Sequence, residues 1–265
     1  MALLPWSPFA MPEYRPRKTL FNSELRRRGI YILPNLLTTA GLFSGFFAIV
    51  QAMNGKFEVA AVAIFVAMLF DGLDGRVARL THTQSAFGAE YDSLADMVSF
   101  GAAPALVVYV WALKDMGKLG WIAAFIYCVG AALRLARFNT NIEVVDKRNF
   151  QGLPSPAAAA LVAGFVWVMI DNDWTGHEAR WYACLLIIFA GITMVTNLPF
   201  YSGKDINLRK SVPFIVVAAI ALGFALVSTY PPGVLFALFL VYALSGYVIA
   251  LINWVNRRNK LARPE

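Results

Sequence analysis

The stretch D71-G-L-D-G-R-V-A-R79, followed after a short polar break by G88-A-E-Y-D-S-L-A-D96, sets acids and glycines between two very apolar runs. The run before it is F57-E-V-A-A-V-A-I-F-V-A-M-L-F70, and the run after it is M97-V-S-F-G-A-A-P-A-L-V-V-Y-V-W-A-L113. Asp71 and Asp74 stand at i,i+3 and Asp92 and Asp96 at i,i+4, so each pair shares one face of a helix. Four carboxylates at the rim of a bilayer repel one another unless cations hold them together. Ligands that are all oxygen suit hard ions such as Mg²⁺, Mn²⁺ or Ca²⁺. Capping of helix ends would explain Asp92 with Ser93, but not four acids at helical spacing together with Arg79.

Composition extends this reading outward. Of 265 residues, 59% are hydrophobic and 15% charged, against about a quarter charged in soluble domains. Apolar runs of spanning length recur at roughly 30–52, 57–79, 93–113, 119–138, 154–171, 180–201, 211–229 and 233–254. The expectation is an all-α membrane protein of about eight transmembrane helices. With the N-terminus inside, both tails and the even-numbered connections collect most of the Lys and Arg, including Arg26-Arg27-Arg28. The opposite side has only Lys56, Lys114, Lys118 and Arg180. The positive-inside rule therefore puts both termini and the acid cluster on the cytoplasmic side. Residues 1–29 read as a basic arm on anionic headgroups rather than a cleaved signal, and 255–265 as a basic tail. Cys128 and Cys184 fall in apolar runs and read as small buried hydrophobes.

Ionisable residues beside a span default to function, and here they point to phosphoryl chemistry on a lipid. Asp71, Asp74 and Asp92 are candidate ligands for one or two divalent ions, with Asp96 more peripheral. Gly75 has no Cβ and lets a phosphate or nucleotide approach the backbone, and Ala78 leaves similar room one turn on. Arg79 offers a planar fork for phosphate. Gly88 is expected to allow the turn before the third span. Ser93 points away from the Asp92/Asp96 face, and His82 reads as a solvated loop residue. A single displacement without a covalent enzyme intermediate is therefore expected.

These residues match D-x2-D-G-x2-A-R-x8-G-x3-D-x3-D, and the chain resembles the CDP-alcohol phosphotransferase family over about residues 30–202. The resemblance implies a six-helix core, with 203–254 adding two spans. It implies an alcohol attacking the lipid-bearing phosphate of a CDP-linked donor, with release of CMP. Asp71, Asp74, Asp92 and Asp96 would hold the metals, Mg or Mn and two ions in number, and Asp96 would also be the general base. Asp71, Gly75, Ala78 and Arg79 would hold the cytidine diphosphate. A homodimer is also implied, and no nucleic-acid partner.

Four segments, L33-P-N-L-L-T-T39, R134-L-A-R-F-N139, F150-Q-G-L-P-S-P-A157 and, more loosely, N197-L-P-F-Y-S-G-K204, resemble the subgroup whose donor is CDP-diacylglycerol and whose acceptor is L-serine. By that resemblance Asn35 and Thr38 are candidates for nucleotide contacts. Arg134, Arg137 and Lys204 are the cations available for the serine carboxylate. A sister enzyme using glycerol 3-phosphate or an inositol phosphate is the nearest alternative. A cation transporter is a remote one, and would bury its acids at mid-span between broken helices. The expected location is a bacterial inner membrane, among membrane lipids.

Overall fold

The computed structural model describes residues 20–83, 85–140, 149–201 and 214–261. Among them are eight helices, when the unbroken rod Ala86–Met116 is counted as one. They are α1 (Leu20–Met53), α2 (Phe57–Thr81), α3 (Ala86–Met116), α4 (Lys118–Thr140), α5 (Ser155–Asp171), α6 (Gly176–Val195), α7 (Phe214–Thr229) and α8 (Pro231–Leu261). Two three-residue strands, β1 (Asn149–Gln151) and β2 (Pro199–Tyr201), pair antiparallel with Phe150 opposite Phe200.

Five of these segments are long and apolar enough to cross a membrane: Ile32–Met53, Ala86–Met116, Lys118–Thr140, Gly176–Val195 and Pro231–Asn256. Among the described residues the other three apolar runs do not meet that measure. The end of α2 carries Asp71, Asp74, Arg76 and Arg79. α5 has 17 residues, and α7 has 16. The protein is an all-helical membrane protein with a small ribbon at one end.

α5 is the hub. From Ala157 to Val166 every residue is buried, because α2, α6 and α8 all pack on it. Its A157-A-A-A160 start lets neighbouring backbones come close, and small residues take that role where water supplies no driving force between helices. α4 and α6 meet the same way: a Cβ on Gly130 would run into the Gly191 carbonyl oxygen. Large apolar side chains such as Phe43, Phe46, Phe125 and Leu185 lie on the outside, as a lipid-facing surface requires.

Two boundaries near the site and the ribbon differ from the sequence expectation. α3 begins at Ala86 rather than near residue 93, capped by Ser85, whose hydroxyl accepts from the Gly88 amide at 3.0 Å. Asp92 and Asp96 therefore lie within the helix, not at its start. Gly88 is not a turn residue; it sits in the first turn of α3, where a Cβ would stand 3.1 Å from Ser85 Oγ and 3.4 Å from Asn35 Oδ1. α6 ends at Val195, and the residues taken as its last turns form β2. Gly152 joins β1 to α5 at φ +79°, with Met194 and Thr196 carbonyls where a Cβ would be, so both conformation and space require glycine there.

α3 is not wound uniformly. Met97–Ala102 and Tyr109–Leu113 are π-helical, a form concentrated at functional positions. Side chains of neighbouring helices bond to this stretch or receive from it. Ser99 Oγ donates to the Gly41 carbonyl at 3.1 Å, and the buried Tyr127 hydroxyl donates to the Phe100 carbonyl at 2.9 Å. A Cβ on Gly45 would lie 2.6 Å from Ser99 Cα, so α1 and α3 touch backbone to backbone at that level.

Candidate active site

Three helices make the site. α2 supplies Asp71 and Asp74 from one face, α3 supplies Asp92 and Asp96 one turn apart, and α1 supplies Thr38 behind them. Ligand oxygens of Asp71, Asp74 and Asp92 all lie within 4.8 Å of one another. At that separation each pair of charges repels by roughly 3–4 kcal/mol at an effective dielectric of about 20. Only Thr38 among the described side chains bonds to any of them: its hydroxyl donates to Asp74 Oδ2 at 2.7 Å, and the Pro34 carbonyl is a second acceptor 3.1 Å from Thr38 Oγ1. Asp74 is only 4% exposed. Such a trio fits a divalent cation, because oxygen ligands this close and this short of hydrogen-bond donors need positive charge. Asp96 stands apart from the trio but lines the same narrow crevice, with Gly41, Ala67 and Phe100 as its apolar walls.

Beside the acids the wall is open. The Arg79 guanidinium lies over Gly75, 3.8 Å from where a Cβ would be. Gly75 and Ala78 are half-buried and Arg79 is exposed, so this part of α2 offers a flat, cationic approach. Asn35 is half-buried on α1 at the level of Gly88. Thr38 is turned toward Asp74, which makes it a partner of an acid before it is a contact for a nucleotide.

The cations expected at the acceptor end divide. Arg134 Nη1 donates to Ser155 Oγ at 2.8 Å, which ties α4 to the start of α5. Arg137 Nη1 donates to Asn197 Oδ1 at 3.0 Å, joining α4 to the start of the ribbon. Lys204 lies outside the described residues. Ser93 exchanges hydrogen bonds with Asn139, whose Nδ2 donates to Ser93 Oγ at 2.9 Å. His82 closes α2 in the left-handed region, with its Nδ1 3.0 Å from the Arg79 carbonyl. Ser155, which holds Arg134, was not read as a site residue, although it lay inside a quoted segment.

A helical membrane bundle that sinks a carboxylate trio into one end, with an arginine over a glycine beside it, has the parts needed to grip a charged lipid diphosphate. The chain belongs to the CDP-alcohol phosphatidyltransferase family, whose sequence model matches residues 31–196. It is 34% identical over 235 residues to a CDP-diacylglycerol–serine O-phosphatidyltransferase of Helicobacter pylori, an alignment covering 88% of this chain and 98% of that protein. A protein of the same name from Methanocaldococcus jannaschii is 34% identical over 83% of this chain and 95% of its own. One from Mycobacterium leprae is 31% identical, over 82% and 74% respectively.

Proposed function

We propose that this protein transfers the phosphatidyl group of CDP-diacylglycerol to the hydroxyl of L-serine, giving phosphatidylserine and CMP. The observation that carries the reading is the meeting of Asp71, Asp74 and Asp92 within 4.8 Å, one helical turn from Asp96. The names of the relatives support serine as the acceptor. The acceptor-like segments point the same way against glycerol 3-phosphate or an inositol phosphate. A transporter is disfavoured, because the acids gather toward one end of α2 and α3 rather than at a mid-span break.

In this reading Asp71, Asp74 and Asp92 hold Mg²⁺ or Mn²⁺, as two ions, with Asp96 at their edge. When bound, such ions neutralise the diphosphate and stabilise departing CMP. Arg79 lies along the diphosphate, Gly75 and Ala78 let it approach the α2 backbone, and Asn35 faces the nucleotide from α1. Thr38 fixes the carboxylate of Asp74. Asp96 accepts the serine hydroxyl proton as the serine oxygen bonds to the lipid-bearing phosphorus; the P–O bond to CMP breaks and CMP leaves with the electron pair. Arg134 pairs with the serine carboxylate, and Arg137 and Lys204 are the other candidate cations. The acyl chains stay in the bilayer. The charge asymmetry of the loops supports a cytoplasm-facing site, and the family resemblance supports a homodimer in a bacterial inner membrane.

The test is CMP release by purified protein from CDP-diacylglycerol, with serine, glycerol 3-phosphate or inositol supplied separately. Serine-dependent release that stops with a chelator and in Asp96→Asn is the expected result. Release with a different alcohol instead would overturn the acceptor while keeping the family.

A further inference from the structure

Asp96 lies on the wall of the acid crevice with no hydrogen bond to its carboxylate among the described residues. Its place is therefore set by the backbone that carries it. Upstream, α3 is tied to its neighbours twice: the Tyr91 hydroxyl stands 2.9 Å from Thr39 Oγ1 of α1, and Ser93 bonds to Asn139 of α4. Downstream it is tied twice more, by Ser99 Oγ to the Gly41 carbonyl of α1 and by Tyr127 of α4 to the Phe100 carbonyl. Asp96 falls between the two pairs, where the π-helical turn Met97–Ala102 begins.

The Phe100 carbonyl needs an outside donor. In ordinary α-winding it would accept from the N–H of residue 104, and Pro104 has none. Phe100 is 1% exposed, and a buried carbonyl without a donor is costly. Tyr127 supplies the donor from across the bundle, its hydroxyl 2.9 Å from the carbonyl oxygen. The tyrosine is itself wedged from behind, because a Cβ on Gly191 of α6 would lie 2.8 Å from Tyr127 Cα. Ser99 and Phe100 line the crevice together with Asp96, so the turn that Tyr127 grips is part of the site wall.

A π-turn is one surplus residue in the winding, and its location decides how side chains before and after it are set against each other. Lying after Asp96, it leaves Asp92 and Asp96 one α-turn apart. One turn earlier, it would come between them and turn Asp96 out of the crevice. We infer that Tyr127 is a positioning residue for Asp96: by holding the Phe100 carbonyl it keeps the wide turn on the far side of the aspartate. The inference rests on the reading of Asp96 as the proton acceptor. Its signature is lost turnover with binding kept, because a base out of reach of the hydroxyl leaves the substrate contacts intact.

The test is a double-mutant cycle on CMP release by the full chain, in micelles containing CDP-diacylglycerol with serine added. Tyr127→Phe keeps the ring and removes the donor. It is expected to lower kcat about tenfold, the scale of a buried carbonyl left unpaired. The KM values for serine and CDP-diacylglycerol, and the Tm rise on adding Mg²⁺, stay unchanged. In the Asp96→Asn background the same substitution should lower kcat no further, since residues acting as one unit do not add. A full loss in that background overturns the inference, as does an unchanged kcat in Tyr127→Phe alone. Tyr127→Phe combined with Pro104→Ala returns a backbone N–H to the carbonyl, and so covers a single variant that fails to fold. Its Tm should recover while kcat stays low; full recovery of kcat would reduce Tyr127 to a filler of one bond and overturn its positioning role. If Asp96→Asn itself keeps full activity, the reading of Asp96 as the base is what falls.

Discussion

The Thr38 hydroxyl lies 2.7 Å from Asp74 Oδ2 and joins α1 to α2 across 36 residues of sequence. It is the one described side-chain donor to the acid trio, and it holds the most buried of the three carboxylates. Thr38→Val keeps the shape and removes the donor. Activity at limiting metal is expected to fall about tenfold or more, from the worth of a hydrogen bond to a charged group, and the metal concentration for half-activity to rise. Thr38→Ser should restore most of both. Metal titrations of CMP release check this, and an unchanged midpoint in Thr38→Val would refute it.

Metal should be visible without turnover. A ligand of the folded protein raises apparent stability by about 2.7 kcal/mol at a hundred times its Kd. Saturating Mg²⁺ or Mn²⁺ should therefore lift the Tm of the detergent-solubilised protein by several degrees, and a chelator should reverse the rise. Asp74→Asn or Asp92→Asn should lose the rise. If both variants keep it, the ion sits elsewhere.

Asp96 should behave differently from the trio. Asp96→Asn removes a proton acceptor, so kcat is expected to drop by about 10²–10⁴-fold. The metal-induced Tm rise should be largely kept, because Asp96 lies outside the close group. Loss of the rise in Asp96→Asn as complete as in Asp74→Asn would make Asp96 a metal ligand first and a base second.

No covalent lipid intermediate should form. Ser93, the hydroxyl nearest in sequence to the acids, is engaged with Asn139. Ser93→Ala is expected to keep activity within about tenfold, in line with loss of one ordinary hydrogen bond. With serine withheld, mass spectrometry of protein incubated with CDP-diacylglycerol should find no phosphatidyl adduct. An adduct on any residue would replace the single displacement with two.

Gly45→Ala should cost stability. Its Cβ would meet the Ser99 backbone at 2.6 Å, and overpacking of this kind costs about 1–3 kcal/mol. Gly72→Ala, in the neighbouring helix with nothing within 4 Å, is the control and should leave the Tm unchanged or slightly raised. Equal effects of the two would mean that α1 and α3 are not in backbone contact.

The acids were legible because their order is local: i,i+3 and i,i+4 spacings state which side chains share a face, and apolar runs state which segments are helices. Arg79 over Gly75 follows from the same period. What escaped was either short or non-local. The start of α3 was hidden because F87-G-A-E-Y91 is less apolar than the run after it, and Ser85 caps without a glutamate three residues on. Three-residue strands show no alternation to read, so β2 was merged into α6. The bonds from Arg134 to Ser155 and from Tyr242 to the Tyr201 carbonyl depend on elements packing across the bundle, which no window of sequence displays. The π-helical turns of α3 carry no residue pattern of their own.

Those turns bear on how the chain tolerates changes in length. A π-turn takes one residue more than an α-turn over nearly the same path. Removing one residue between Met97 and Ala102 could relax that stretch to ordinary winding and leave both ends of α3 oriented as they are. The same deletion a few residues earlier, between Asp92 and Asp96, would swing Asp96 about 100° around the helix relative to Asp92. The wide turn after Asp96 therefore acts as a slack link: membrane-side insertions and deletions can be absorbed there, while the four-residue step between the two aspartates stays fixed.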